Sequence, residues 1–191
     1  MPSASLNTWN TTRGAALDVL VATHRSLSGT GRGQRYATLQ INQAYALLLS
    51  SQFQGYCRDL HSECAGYFVQ SLPTGLLRGA IQIVLIQNRK LDQGNPNPGN
   101  IGADYNRFGL IFWNEVSNLD LRNQSRKQRL EDLNKWRNAI AHQSFDPVIF
   151  GTGMLRLQQV REWRSACDQL AICFDEVMRS HLQAINGVSP W

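Results

Sequence analysis

Val160, Trp163, Cys167, Leu170, Phe174, Val177, His181 and Ile185 recur at three- and four-residue intervals through the last part of the chain. That is the period of an α-helix with one buried face. An apolar stripe this long must be covered, and the rest of the chain offers helices to cover it. From about Gln34 to Leu72, Tyr45, Leu49, Phe53, Tyr56, Leu60, Cys64 and Tyr67 keep helical spacing, as expected of a central, core-forming helix. Gly55 and Gly66 weaken that tract locally, and Pro73-Thr74-Gly75 ends it. Between Ser125 and Ala141, Leu130, Leu133, Trp136 and Ile140 form a third stripe, and Leu17, Leu20 and Val21 give residues up to about Arg25 an apolar edge. Leu76 to Leu91 reads as another buried helix; Ile81, Ile83, Val84 and Ile86 would tolerate a strand, but no partner strands are evident.

Gly94-Asn95-Pro96-Asn97-Pro98-Gly99-Asn100 is the clearest loop, followed through Phe112 and Trp113 by a short helix or irregular connector. A second loop carries Gly151 and Gly153. No repeat interrupts the pattern. The expected fold class is all-α, an antiparallel helical bundle forming a single domain over residues 1–191. A chain of 191 residues is long enough for one well-buried core and short for two.

A formal charge of +5 favours anionic partners, and the cations are mostly arginine, with only Lys90, Lys127 and Lys135 as lysines. Arginine suits phosphate because its planar fork donates two parallel hydrogen bonds. An excess of this size is also common in proteins that never meet nucleic acid. No segment near the start combines a basic stretch, an apolar run and a small-residue cleavage site, and the apolar block Ile81 to Ile86 is too short to span a bilayer. The expectation is a cytoplasmic protein without membrane contact, in which Cys57, Cys64, Cys167 and Cys173 need not form disulfides. Ser28-Gly29-Thr30-Gly31-Arg32-Gly33 suggests a phosphate-cradling loop, yet it lacks the lysine-serine/threonine ending and a preceding strand, so it reads as a turn.

The chemistry concentrates in Lys135-Trp136-Arg137-Asn138-Ala139-Ile140-Ala141-His142, where a fixed cation and a side chain that changes charge near neutral pH close a helical pattern together. Five residues apart, Arg137 and His142 would differ by about 140° around a continuing helix. The helix must end or bend if they cooperate, and Gln143-Ser144-Phe145-Asp146-Pro147 supplies a stop. On spacing alone, the preferred reading is structural: Arg137 caps the last carbonyls and His142 complements the helix C-terminus.

Other groups carry two readings each. Cys57, His61 and Cys64, at i, i+4 and i+7, offer three zinc-ligand types on one helix face, but no fourth is specified and the cysteines already fit the apolar stripe. No metal or other cofactor is expected. His181 falls on an apolar face as a core histidine. Arg58, Asp59 and Glu63 would either position Arg137 or His142 or form surface ion pairs. Arg122, Arg126, Lys127 and Arg129 would either track an RNA backbone or make a solvated helical face. Tyr105, Phe108, Phe112 and Trp113 would stack on bases or close a core.

Arg137 and Asn138 followed after three residues by His142, in a mostly helical chain of this size, resemble the motif of the HEPN superfamily, the higher eukaryotes and prokaryotes nucleotide-binding domains. The similarity is to the prokaryotic group that includes the RiboL-PSP-HEPN domains. The resemblance implies catalytic roles for three residues: Arg137 holding phosphate, His142 as general base or acid, and Asn138 orienting His142 or binding phosphate. It also implies a homodimer in which two such motifs face one another in a single groove. The activity expected is metal-independent RNA cleavage, in a bacterial toxin or antiviral effector with a cognate antitoxin or defence-system protein as partner. Ser144 stands where some toxin relatives have a tyrosine two residues after the histidine, so regulation through that tyrosine does not carry over. A non-catalytic module binding RNA or a protein partner is the alternative, and an assembly protein with no nucleic-acid role is a third.

Overall fold

In the computed structural model, which describes residues 1–27 and 34–191, all regular structure is helical and no strand occurs among the described residues. The glycine-rich segment 28–33, read above as a turn, lies outside the described residues. The order is α1 (Ala4–Thr8), a π-helical turn (Trp9–Arg13), α2 (Gly14–Leu27), α3 (Gln34–Phe68), α4 (Leu76–Ile86), α5 (Lys90–Gln93), α6 (Pro98–Tyr105), α7 (Phe112–Leu119), α8 (Asn123–His142), α9 (Pro147–Phe150) and α10 (Leu157–Asn186).

Side-chain bonds between the long helices fix their directions. Asn42 donates to the Leu155 carbonyl at 2.9 Å, the Tyr56 hydroxyl to the Ala171 carbonyl at 2.7 Å, and Asn186 to the Tyr67 carbonyl at 2.8 Å, so α3 and α10 run parallel. Trp136 of α8 packs on Trp163, and the Cys173 thiol lies 3.7 Å from the Asn123 side-chain oxygen, so α8 runs against α10. Arg13 pairs with Asp59 at 2.6 Å, and Asp18 of α2 with Arg164 of α10 at 2.6 Å, which sets α2 against α3. Helices α2, α3, α8 and α10 therefore alternate in direction, and consecutive members of the bundle are antiparallel.

The core is the meeting of the three sequence stripes. Leu49, Phe53, Tyr56 and Leu60 of α3, Leu130 and Leu133 of α8, and Val160, Cys167, Leu170 and Phe174 of α10 are fully buried. Each large apolar side chain so placed contributes about 1.5–3 kcal/mol. Gly55 is no weak point in α3, because a Cβ there would collide with the Arg13 guanidinium that docks against it. The α4 expectation needs correction. It is a helix, but Leu76, Leu77, Ile83 and Val84 are exposed and only Leu85 is buried, because α4 lies outside the bundle against α3 and its outer face is uncovered. No helix among the described residues is long and apolar enough to cross a membrane.

Candidate active site

Helix α8 runs without interruption to His142, and a Schellman motif ends it. Gln143 adopts the left-handed conformation (φ 51°, ψ 36°), its N–H donates to the Ile140 carbonyl at 3.3 Å, and the Ser144 N–H donates to the Ala139 carbonyl at 3.0 Å. The stop is thus Gln143, one residue past the histidine. Pro147 does something else: it opens α9, whose first turn is capped by Asp146, with the Val148 N–H donating to its carboxylate at 2.9 Å.

Because α8 continues through the motif, Arg137 and His142 stay about 140° apart on one chain. The residue that shares the histidine's face is Asn138, one helical turn before it. Arg137 is half-buried, and its Nη1 donates to the Asn138 side-chain oxygen at 3.2 Å. Asn95 donates to the same oxygen through its Nδ2. With that oxygen taken by two donors, the Asn138 NH₂ makes no hydrogen bond among the described residues and stands as a donor.

Asn138 and His142 line an open cavity of about 460 Å³ with Lys135, Ala139, Ser144, Ile149 and Phe150. Its wall is held by aromatic packing: Trp136, largely buried on α8, meets Phe150 of α9 edge-on at 4.9 Å and Phe145 at 6.1 Å. Lys135 lies 3.8 Å from Asp132, both half-exposed, so its charge remains available to the cavity.

Sequence reasoning missed Asn95. The loop between α5 and α6 that carries it is built on polar side chains. Gln54 donates to the Leu91 and Gly94 carbonyls at 2.6 and 2.8 Å, the buried Asn134 donates to the Pro96 carbonyl at 3.1 Å, and Asn100 donates to the Asn95 carbonyl at 2.8 Å. Asn97 caps α6, accepting from the Asn100 N–H at 2.8 Å. The Asn-Pro-Asn-Pro run was the only signal, and it marks a loop without telling which helix the loop touches.

Of the other candidates, none joins this site. Arg58 pairs with Asp92 at 2.8 Å, Asp59 with Arg13, and Glu63 caps α1 by accepting from the Ala4 and Ser5 N–H groups at 3.1 and 3.0 Å, so none of the three supports Arg137 or His142. Tyr105, Phe108 and Phe112 are buried and Trp113 half-buried, with Phe112 and Trp113 packed on Phe174; they close the core. His61 is buried with Nε2 3.1 Å from the Asp104 carbonyl, and burial holds its pKa down at about 4. Burial also pushes the Cys57 and Cys64 thiols up, which keeps them protonated and poor ligands. No group of three His, Cys, Asp or Glu that could hold a metal occurs among the described residues. His181 is half-buried on α10 rather than in the core, and its Nε2–H donates to the Phe108 carbonyl at 2.9 Å.

The basic cluster sits at the far end of α8, about 30 Å from His142 at one extreme. Arg122 and Arg126 both clamp Asp120, at 3.0 and 2.8 Å, and Arg122 holds that carboxyl well below the usual carboxylate range. The Lys127 ammonium lies 4.8 Å from the centroid of the Trp113 ring. Arg129 is exposed and makes no ion pair or side-chain hydrogen bond among the described residues.

The RiboL-PSP-HEPN family matches residues 20–180, the span that contains α3, α8 and nearly all of α10. No curated protein and no solved structure matches the chain.

Proposed function

The chain belongs to the RiboL-PSP-HEPN family, and from that premise we propose that it is a metal-independent endoribonuclease acting at a composite site formed by two copies of the chain. The observation that supports this most is the grouping of Asn138 and His142 on one exposed face at the end of α8, with Arg137 bonded to the Asn138 amide.

The chemistry needs three things. A base removes the proton of a ribose 2′-hydroxyl, whose oxygen then bonds to the adjacent phosphorus. The bond from phosphorus to the 5′-oxygen breaks, and that oxygen takes a proton from an acid. Cationic and N–H donors hold the phosphoryl oxygens while charge builds on them. The products are a 2′,3′-cyclic phosphate, or its hydrolysis product, and a 5′-hydroxyl. In an in-line displacement the attacking and leaving oxygens stand on opposite sides of the phosphorus, so one histidine does not reach both, whereas two His142 side chains across a two-fold axis can. Arg137 and the free NH₂ of Asn138 then hold phosphate oxygens. Arg129, with the Arg122, Arg126 and Lys127 cluster, extends a basic track for the RNA backbone along α8. The family setting is that of a toxin or antiviral effector in the cytoplasm, restrained by a cognate antitoxin or defence-system protein.

One observation favours a second reading. On a single chain Arg137 leaves the helix about 140° around from His142, and its guanidinium is bonded to Asn138. A module that binds RNA or a protein partner without cutting needs no more than this. The His142→Ala variant separates the two: an enzyme loses cleavage and keeps RNA affinity, whereas a binding module shows no cleavage in either form.

A further inference from the structure

Gln124, Gln128, Glu131, Lys135, Asn138 and His142 recur every three or four residues, so they share one face along the whole of α8. That face opens into two cavities. The C-terminal one holds Asn138 and His142. The other, about 430 Å³, is lined by Trp113, Asn114 and Ser117 of α7, by Gln124, Lys127, Gln128 and Glu131 of α8, and by Pro98. The α5–α6 loop and the first residue of α6 serve both: Asn95 bonds Asn138, and the Pro98 carbonyl accepts from the Trp113 indole N–H at 2.7 Å.

Trp113 is rigidly held. Phe112 and Phe174 meet its ring edge-on at 5.9 and 5.4 Å, and Gly102 lets it approach so closely that a Cβ there would stand 2.9 Å from the indole Cδ1. The ring also carries the Lys127 ammonium at 4.8 Å. The side-chain amides of Asn114 and Gln124 make no hydrogen bond among the described residues, and Gln128 bonds only Asp132, at 3.1 Å. A fixed aromatic face, a displaceable cation and unspent amides suit a flat group that hydrogen-bonds at its edge and is tethered to phosphate.

Resting on the ribonuclease reading, we propose that this second cavity binds a nucleobase of the same single RNA strand, several nucleotides from the bond cut at His142. Gln124 to Asn138 spans about 20 Å of helix, which sets the separation. A cation over a half-buried, solvent-facing ring is held less strongly than a stacked base, so the base takes the ring face and Lys127 turns to the phosphate. Gln124, Gln128 and Asn114 bond the base edge. Glu131 only accepts hydrogen bonds, and uracil's one edge donor, N3–H, is flanked by two carbonyls that repel a carboxylate, so the cavity favours bases bearing an exocyclic amino group.

The test is the affinity of short, uncleavable 2′-O-methyl oligomers of adenosine, cytidine or uridine, read by fluorescence anisotropy, together with cleavage of the corresponding RNAs. Wild type should bind the adenosine and cytidine oligomers more tightly than the uridine one. The double variant Gln124→Ala/Gln128→Ala should lose about tenfold in affinity for the former, and Glu131→Gln should narrow the gap to uridine; all three positions are at the surface or half-exposed, and thermal melting checks that the variants fold. If wild type cleaves RNA while both variants keep its affinity and base order, the second cavity is not a subsite and the ribonuclease reading stands. Wild type that neither binds nor cuts any RNA overturns both.

Discussion

Arg137 does not face His142: its guanidinium is bonded to the side-chain oxygen of Asn138 at 3.2 Å, and Asn138 is the residue that shares the histidine's face. The arginine therefore fixes which way the asparagine amide presents its donor. Replacing that donor by a carboxylate oxygen keeps the size and the bonds from Arg137 and Asn95, yet sets a negative charge beside phosphate. Asn138→Asp should lower cleavage by about 10²–10³-fold, as loss of a transition-state donor does, and more than Asn138→Ala. Single-turnover rates on a labelled RNA check the order; an aspartate variant as active as wild type contradicts the donor role.

Asn95 bonds the Asn138 side-chain oxygen and, if Asn138 holds phosphate, is a positioning residue. Asn95→Ala leaves the loop's other tethers, Gln54 to Gly94 and Asn134 to Pro96, untouched. Stability should change by less than about 0.5 kcal/mol, while kcat falls several-fold at unchanged KM, with Asn95→Gln recovering part of the loss. Equal kcat in wild type and Asn95→Ala would remove it from the site.

The cavity wall depends on Trp136, which packs on Phe145, Phe150 and Trp163. Trp136→Ala should cost about 3–5 kcal/mol, the usual effect of deleting a buried aromatic side chain. Urea denaturation measures it. A loss under 1 kcal/mol would mean that α9 is not held by this contact.

His61 makes acid stability predictable in sign. Its folded-state pKa of about 4 lies below the ordinary histidine value of 6.5, chiefly through burial, with Arg89 and Arg107 adding to the depression and Asp104 opposing it. The unfolded chain therefore binds more protons between those values, so this contribution is intact above pH 6.5 and is lost as pH falls towards 4, to a total of roughly 3 kcal/mol. In His61→Gln that part of the slope should disappear, and the difference in melting temperature between the two proteins should shrink on acidification. Parallel pH profiles would show that His61 does not titrate in this range.

If His142 side chains from two copies act in one groove, adding excess His142→Ala to wild type and allowing exchange should reduce activity more steeply than dilution of the wild type alone. A proportional fall would assign each chain its own site.

The stripes legible in the sequence place the bundle correctly, because each apolar period belongs to a helix that needs a partner: Phe53, Leu130 and Leu170 meet as their spacing implies. Arg137, Asn138 and His142 were legible as a motif. The end of α8 was legible too, since residues 143–147 read as its stop, but its cause was not. Pro147 is a strong breaker, but the Schellman turn at Gln143 depends on a glutamine accepting φ 51°, which no propensity favours. Nor could the motif disclose Asn95, whose contact spans 43 residues and exists only once the loop has folded onto α8. The α4 face misled because its apolar residues imply burial, and only the packed structure shows that Leu77 and Val84 are exposed.

The most direct measurement is incubation of purified wild type and His142→Ala with end-labelled single-stranded RNA in EDTA, followed by identification of the new ends. Cleavage by wild type alone, leaving 2′,3′-cyclic phosphate and 5′-hydroxyl ends, is the expected result. Equal cleavage by both proteins, or 3′-hydroxyl and 5′-phosphate ends, would contradict catalysis by this histidine.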